Sequence, residues 1–404
     1  MTPRQAVLQV IRHLRRAGFE ALLAGGCVRD MLLGKKPKDY DVATNARPEQ
    51  VTTLFSRTIT VGAQFGVVVV LLGGRQIEVA AYRSDMDYPD GRRPQSVVFT
   101  NARRDAQRRD FTINGMFFDP LAKKVIDYVG GQRDLKRKII QAIGNPEQRF
   151  AEDHLRILRA IRFACRFQFA IAPATWRAIR KHAAKIQRIS AERIAAELEM
   201  IVTDPNRSRG MQLVRDSGLV SRILPEVTEK QFSLGLQVLA HLPRKCSFVL
   251  ALSALFVDCG EKKAGSICRR LKTSNELRKQ VQWLVGHRQP LLDAIPMSKG
   301  VLKQWLARPL FALLVTLNRS TLRATGQNDG KLRILRRQIT ELGNEPIAPP
   351  RLLDGHELIR LGAVPGPMVG RLAEELYLAQ LENLVQRKSE ARRWVKQWLA
   401  QHKE

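Results

Sequence analysis

Asp39 and Asp41 stand two positions apart, shortly after the run Leu-Ala-Gly-Gly-Cys-Val-Arg at 23–29. Alternate side chains of an extended strand share a face, so two carboxylates at this spacing can converge on one divalent cation. The spacing predicts a short strand bearing a metal site. Just upstream, Gly25-Gly26 makes a tight turn whose N–H groups can face a triphosphate, together with a short helix that Arg29 opens. The two halves together point to metal-assisted nucleotide chemistry. A third acid, Glu78, lies between Ile77 and Val79 in a strand-like segment. It either faces solvent or points into the same site, where a two-metal centre can use a further carboxylate.

The remaining residues with chemistry to offer are arginines with acids among them. Arg108, Arg109, Asp110 and Asn114 rim the segment Phe111-Thr112-Ile113, and guanidinium forks suit phosphate oxygens. From Phe150 to Phe167 the periodicity predicts one helix. Ile157, Leu158, Ile161, Ala164 and Cys165 share a side, with Glu152, Arg156, Arg159 and Arg166 opposite and Asp153 and Arg162 flanking them. Such a strip can be a wet, ion-paired surface, each pair worth about a few tenths of a kcal/mol. So many arginines repel one another unless something anionic faces them, which favours the wall of a ligand site. In the turn-rich YPDGRRP loop at 88–94, Arg92 and Arg93 are candidate contacts to polyphosphate or RNA, as is the later Arg103-Arg104 pair.

Positioning these groups requires an α+β head. An amphipathic helix is expected over 4–17, a strand over 21–24, a helix over 28–33 closed by Gly34, and a helix from Pro48 to Phe55. Strands follow at 59–61, 66–72 and 76–82, the last two joined as a hairpin through Gly73-Gly74. A strand at 125–128 and a Gly-Gly-Gln-Arg-Asp-Leu turn complete a small N-terminal domain with a mixed or antiparallel sheet. Residues 173–203 continue helically. Ser190 can open a fresh helix there, yet Arg193 stands where a capping box wants Glu or Gln. Asp204-Pro205-Asn206 marks a boundary, and the rest reads as all-helical. The divisions expected are a head at 1–145, a neck at 146–204, a body at 205–325 and a tail at 326–404.

With 404 residues the chain exceeds one typical core, and its formal net charge of +30 makes a polyanion the first partner to consider. Charge alone does not choose between DNA and RNA, nor between these and a membrane surface. The five cysteines form no CxxC pair, which indicates reduced thiols rather than bridges or a zinc site. No apolar run reaches spanning length. The segments at 67–72 and 248–257 read as a buried strand and a buried helix, and the expected location is cytoplasmic.

On these residues the sequence resembles the class II tRNA nucleotidyltransferase and bacterial poly(A) polymerase family, within the DNA polymerase beta-like nucleotidyltransferases. AGGCVRDMLLG with DYD at 39–41 looks like the family's catalytic motif. The likeness implies Gly25, Gly26 and Arg29 as triphosphate contacts and Asp39 and Asp41 as ligands of two Mg²⁺ ions. IEVAAYR at 77–83 is similar to the strand holding the further acid, Glu78. RRDFTIN at 108–114 resembles the segment touching ribose and phosphates, which implies Arg109, then Arg108 and Asp110, with Asn114 at its end. EDHLRILRAIRF at 152–163 is similar to the base-selecting motif, with roles for Glu152, Asp153, Arg156, Arg159 and Arg162. AERIAAEL at 191–198 resembles the neck motif supporting that helix, and LLDGHELIRLGAVPGPMVG at 352–370 a C-terminal segment common in the family.

The chemistry suits such a selector. A carboxylate accepts from an exocyclic amine and a guanidinium donates to the neighbouring ring acceptor. Cytosine and adenine share that pattern, and uracil and guanine reverse it. Gly115 departs from the alanine more usual after the Asn, a change expected to alter packing only. Poly(A)-making relatives carry an arginine-rich patch before the acidic strand. Here an apolar strand with Gly66 stands instead, which favours CCA addition, and the DGRRP loop argues against a relative adding only cytidines. The resemblance thus implies CCA addition to the 3′ end of tRNA from CTP and ATP, with one ion activating the 3′-hydroxyl for attack on the α-phosphate and pyrophosphate leaving. Poly(A) or adenosine-only addition is the alternative of the same chemistry, and a noncatalytic RNA-binding protein the alternative of another class. A monomer or homodimer, with no membrane partner, is expected.

Overall fold

A computed structural model describes residues 1–60, 65–86 and 96–402. The chain divides into two compact units, Met1–Val227 with Arg270–Thr273, and Thr228–Arg269 with Ser274–Glu404.

The first unit opens with α1 (Pro3–Arg16), started by a reciprocal Thr2–Gln5 capping box. Its Ala6, Val7, Val10, Ile11 and Leu14 are fully buried, as the helical spacing requires. Then come β1 (Ala21–Ala24), α2 (Gly26–Leu32), β2 (Asp41–Thr44), α3 (Pro48–Leu54), β3 (Thr58–Ile59), β4 (Val67–Leu72) and β5 (Arg75–Ala81). A ribbon of β6 (Arg83–Met86) and β7 (Ser96–Phe99) leads to α4 (Ala102–Arg108), a 3₁₀ turn at Thr112–Asn114, β8 (Met116–Asp119), β9 (Lys124–Asp127) and α5 (Gly131–Arg137). The main sheet runs β3-β4-β5-β2-β1-β8-β9, antiparallel throughout except for the parallel β2–β5 pair. This is the mixed sheet of an α+β head. Leu22, Ala24 and Ala43 face Ala102 and Ala106 of α4, with Tyr82 and Phe117 meeting edge-on at 5.9 Å.

Several local expectations are corrected. The strand begins at Asp41, and Asp39 lies in the bend before it. Asp41 pairs with Ala24, the last residue of β1, and Gly25 then turns away, so residues before Asp41 have no strand to pair with. α2 starts at Gly26 and holds Arg29 in its middle. The Gly-Gly-Gln-Arg-Asp-Leu turn is largely helix α5, and the N–H groups of Val129 and Gly130 before it and of Gly131 and Gln132 in its first turn all donate to the Asp127 carboxylate. Arg103 and Arg104 sit on α4, with Arg103 stacked 4.9 Å from the Tyr128 ring. The YPDGRRP loop with Arg92 and Arg93, and Val61, fall outside the described residues.

The expected single helix from 150 to 167 is two: α6 (Pro146–Glu152) and α7 (Arg156–Phe167). Asp153 breaks it. Its backbone is extended at φ −145°, and its Oδ1 accepts from the N–H of Leu155 at 3.0 Å, a local bond that competes with helix continuation. A short parallel pair, β10 (Ile139–Ile140) and β11 (Ala170–Ile171), precedes and follows these helices. Next are α8 (Pro173–His182), α9 (Ala191–Val202), α10 (Arg207–Asp216) and α11 (Val220–Ile223). Ser190 occupies the N-cap of α9 without a side-chain capping bond, in keeping with the imperfect signal at Arg193. Ile157, Leu158, Ile161, Ala164 and Cys165 of α7 are fully buried. Each such Ile or Leu stabilises by roughly 1.5–3 kcal/mol, so packing rather than ion pairing anchors this helix.

The second unit is helical: α12 (Glu229–Ala240), α13 (Phe248–Leu255), α14 (Glu261–Arg270), α15 (Asn275–Ala294), α16 (Lys299–Leu306), α17 (Phe311–Thr325), α18 (Gly330–Leu342), α19 (Gly355–Arg360), α20 (Pro367–Leu381) and α21 (Lys388–Gln401). α17 ends at Thr325, and a short polar turn leads to α18 at Gly330. Leu358, Leu372, Leu376, Val395 and Trp398 form the core of its last three helices. No single helix among the described residues is long and apolar enough to cross a membrane.

Candidate active site

The site begins where β1 ends. Gly25 has φ +71°, a left-handed conformation that glycine adopts without strain, and its N–H donates to the Met116 carbonyl at 3.0 Å. A Cβ there would lie 2.7 Å from Arg109 Nη1, so the bare backbone lets that guanidinium come close. One turn into α2, Arg29 is only 4% exposed. Its Nε and Nη2 donate to Asp30 at 2.9 and 2.7 Å, its Nη1 to the Asn114 side chain, and its plane packs 4.7 Å from the Phe167 ring. Burial lowers its pKa against the pull of Asp30. The fork is held rigid before any ligand arrives.

From the end of α4, Arg108 and Arg109 both donate to the buried Asp105, at 2.8 and 2.9 Å. Burial would raise that carboxyl, but the two guanidiniums beside it hold it below its ordinary value.

Register accounts for Glu78. β2 and β5 are parallel with Val42 opposite Val79, which sets Asp41 and Glu78 next to each other one residue earlier. Val42 and Val79 are buried on one face, so the two acids share the other. Burial, then Glu78, then Asp39 push the Asp41 carboxyl up to about 6, with Arg109 opposing. Glu78 itself is exposed. Among the described residues no three His, Cys, Asp or Glu side chains enclose a metal site. The donor set is nonetheless all carboxylate oxygen, and the crowded negative charge at Asp41 is what a hard divalent cation relieves. Mg²⁺ commonly binds through one or two carboxylates, waters and substrate phosphates rather than a protein cage, so these residues fit it.

A cavity of about 480 Å³ joins these parts. Gly25, Gly26, Arg29, Asp41, Arg108, Arg109, Asp110, Asn114, Asp153, Arg156, Arg159 and Arg162 all line it; Asp39, Glu78 and Glu152 do not. Its walls carry eight arginines against three aspartates, an anion-attracting balance. Glu152 instead pairs with Arg149 at 2.9 Å and with Arg156, behind the wall.

The acids and arginines of the α7 wall are already paired. Asp110 accepts from Arg159 Nη2 at 2.7 Å and from Asn114 at 3.1 Å. Burial raises its pKa, but these partners and the N–H of Phe111 more than offset it and hold the carboxyl at about 2. Asp153 Oδ2 takes a bond from Arg193 at 3.0 Å. Arg156 donates to the carbonyls of Arg149 and Arg108, at 3.0 and 3.4 Å. From α9, Glu197, 4% exposed, lies 2.8 Å from Arg162 and 3.8 Å from Arg159. The short Glu197–Arg162 contact is an ion pair without hydrogen-bond alignment, leaving Arg162 Nε and Glu197 Oε2 without a hydrogen bond. Burial raises the Glu197 carboxyl despite both arginines.

Three wall residues went unmarked in the sequence: Leu155, Phe163 and Arg193. Phe163 lies one turn after Arg159, with Arg29, Arg159 and Arg162 at 5.3, 5.5 and 4.5 Å from its ring. Arg193 did leave a signal, as the basic residue where a cap acid belonged.

Comparison with known proteins agrees with this architecture. Residues 21–141 match the poly A polymerase head domain, and residues 168–231 a family described as the probable RNA and SrmB-binding site of polymerase A. The chain is 33% identical over 384 residues, 94% of each protein, to the CCA-adding enzyme of Lactobacillus johnsonii. To that of Geobacillus stearothermophilus it is 40% identical over 242 residues, 60% of this chain and 59% of the other. Its fold superposes on the crystal structure of the Bacillus stearothermophilus CCA-adding enzyme in complex with CTP with a TM-score of 0.73 at 29% identity, covering 99% of this chain and 98% of that one. A likeness that runs nearly end to end in both proteins settles the family: the chain belongs to the CCA-adding enzymes of the poly(A) polymerase family.

Proposed function

We propose that this protein adds C, C and A to the 3′ end of tRNA from CTP and ATP without a template, releasing pyrophosphate. The observation that carries the reading is that one cavity joins Asp41, the Gly25-Gly26 turn and the arginine wall of α7. A triphosphate set against the Gly25-Gly26 turn meets the N–H groups that open α2 from Gly26 and the forks of Arg29 and Arg109, which compensate charge building on the departing pyrophosphate. Asp41, with Asp39 and Glu78 beside it, would hold Mg²⁺. When bound, Mg²⁺ supplies Lewis-acid activation of the RNA 3′-hydroxyl and of the α-phosphate. Arg108, Asp110 and Asn114 brace the sugar and phosphate side. Asp153 and Arg156 read the pairing edge of the base, while Arg159 and Arg162, braced by Glu197, keep the wall in place; Glu152 acts through Arg156.

In this reading residues 1–145 are the catalytic head, 146–204 the base-reading neck, and 205–325 and 326–404 a body and tail that bind RNA through Lys and Arg. A monomer or homodimer suffices, and no step needs a membrane. The test is incubation with a tRNA transcript ending before CCA, with CTP, ATP or both. Two cytidines from CTP and a single adenosine once both are present are expected. Long A-tails from ATP alone would overturn the proposal in favour of poly(A) synthesis.

A further inference from the structure

The second unit carries an aromatic and basic cleft separate from the site above. Glu276, Lys279, Gln280 and Trp283 recur at helical spacing on one face of α15, and the turn Arg308-Pro309-Leu310 after α16 faces them across a cavity of about 340 Å³. Trp283 is partly exposed and lines this cavity. It is also firmly placed. His287 stacks on it at 4.4 Å and 20°, Trp305 packs at 6.4 Å, and the Arg308 guanidinium sits 5.8 Å from Trp283 and 5.3 Å from Trp305. The His287 ring is itself fixed by a 2.9 Å contact between Nδ1 and the Trp283 carbonyl. Lys279 and Arg308 are exposed at the cleft. The one acid there, Glu276, is engaged by Gln280 at 2.6 Å.

We propose that this cleft is a stacking site for an unpaired base of the bound RNA, formed by the Trp283 indole and the Arg308-Pro309-Leu310 turn, with Lys279 on the adjoining phosphate. The choice of occupant follows from charge and shape. A π-surface edged by two cations, in a chain of net charge +30, complements a base joined to an anionic backbone better than an apolar peptide or a second, equally basic copy of this chain. Prearranged aromatic rings also add little ordering entropy on binding.

The proposal rests on the RNA substrate assigned above, so its test separates binding from catalysis. With the full-length protein and no nucleotide, anisotropy of an end-labelled tRNA transcript ending before CCA gives Kd. Trp283→Ala is expected to weaken binding about ten-fold, and Trp283→Phe to stay within about two-fold of wild type because a ring is retained. Trp283→Leu, apolar but without a π-face, should behave as the alanine variant. Lys279→Ala should lower the slope of log affinity against log salt by roughly 0.7, and Trp283→Ala should leave the slope unchanged. At saturating transcript, Trp283→Ala keeps the wild-type kcat for cytidine addition with a raised KM for RNA.

Unchanged RNA affinity in Trp283→Ala would overturn the proposal, as would full rescue by leucine or a changed oligomeric state, which would make the cleft a contact between copies. Stacking behaviour in a protein that adds no nucleotide would sink the functional reading and leave this site standing. Normal addition with a silent Trp283 would do the reverse.

Discussion

Asp41→Asn should make the protein more stable while abolishing its activity. In the folded chain the Asp41 carboxyl is pushed from 3.8 up to about 6 by burial and by Glu78 and Asp39, with Arg109 opposing. A shift of about two units corresponds to roughly 3 kcal/mol, at about 1.36 kcal/mol per unit, as a ceiling on what ionising Asp41 costs the fold. The sign follows from proton binding. Between about pH 4 and 6 the folded state holds a proton that the unfolded chain has released, so stability falls as pH rises through that window and the full penalty applies above it. Asparagine keeps the shape and removes the charge. Urea unfolding at pH 7.5 with EDTA should therefore show the variant about 1–3 kcal/mol more stable in the transition of the first unit, the gain shrinking to nothing by about pH 4.

Magnesium should stabilise the wild type toward the variant and leave the variant unmoved, since binding to the folded state alone shifts the equilibrium. Glu78→Gln should move the pH window downward by removing one neighbouring charge. An Asp41→Asn protein no more stable than wild type at pH 7.5 in EDTA, or a difference that is flat from pH 4 to 8, would refute the reasoning.

Asp110→Asn should behave with the opposite sign. Its carboxyl is held at about 2, so it contributes stability above the unfolded value of 3.8 that is lost as pH falls toward 2; the variant should lose about 2 kcal/mol at neutral pH, measured by urea unfolding. Arg193→Ala frees Asp153 Oδ2 of the guanidinium that binds it at 3.0 Å and that an incoming amine has to replace, and a charged hydrogen bond worth about 1.5–3 kcal/mol predicts a rise of about ten-fold in kcat/KM for CTP, measured by steady-state cytidine addition. Gly115→Ala should show that the glycine is matched to its surroundings. A Cβ would meet Val129 at 2.7 Å and Ile143 at 3.0 Å, so a loss of about 1–3 kcal/mol with unchanged nucleotide KM is expected, and pairing it with Val129→Ala should restore stability. Gly25→Ala should raise the nucleotide KM, because its Cβ collides with Arg109 Nη1 and its φ is positive.

What the sequence disclosed and what it hid divide by the range of the interaction. Periodicity placed α1 and the buried side of α7, and turn chemistry placed the β4–β5 hairpin, because each depends on neighbours within a few residues. Glu78 stayed undecided between solvent and site, since its orientation toward Asp41 depends on a parallel pairing with β2, 37 residues upstream. The continuous helix expected from 150 to 167 failed at Asp153, where one carboxylate oxygen takes the Leu155 N–H in a local bond just before the next helix. Spacing shows which charges share a face and not which are already taken. Asp110 holds Arg159 from 49 residues away, and Asp153 holds Arg193 from 40. A base-reading Asp153 is therefore no idle acceptor. Its Oδ1 is committed to the Leu155 N–H, so an incoming exocyclic amine competes with Arg193 for Oδ2. Arg156, tied to the carbonyls of Arg149 and Arg108, has to exchange partners in the same way. Selection by exchange admits only a donor, because a base presenting a carbonyl to Asp153 has no hydrogen with which to replace the Arg193 guanidinium and sets two acceptors against each other. The ion pairs that look like surface decoration in the sequence are then the reference state against which each base is weighed.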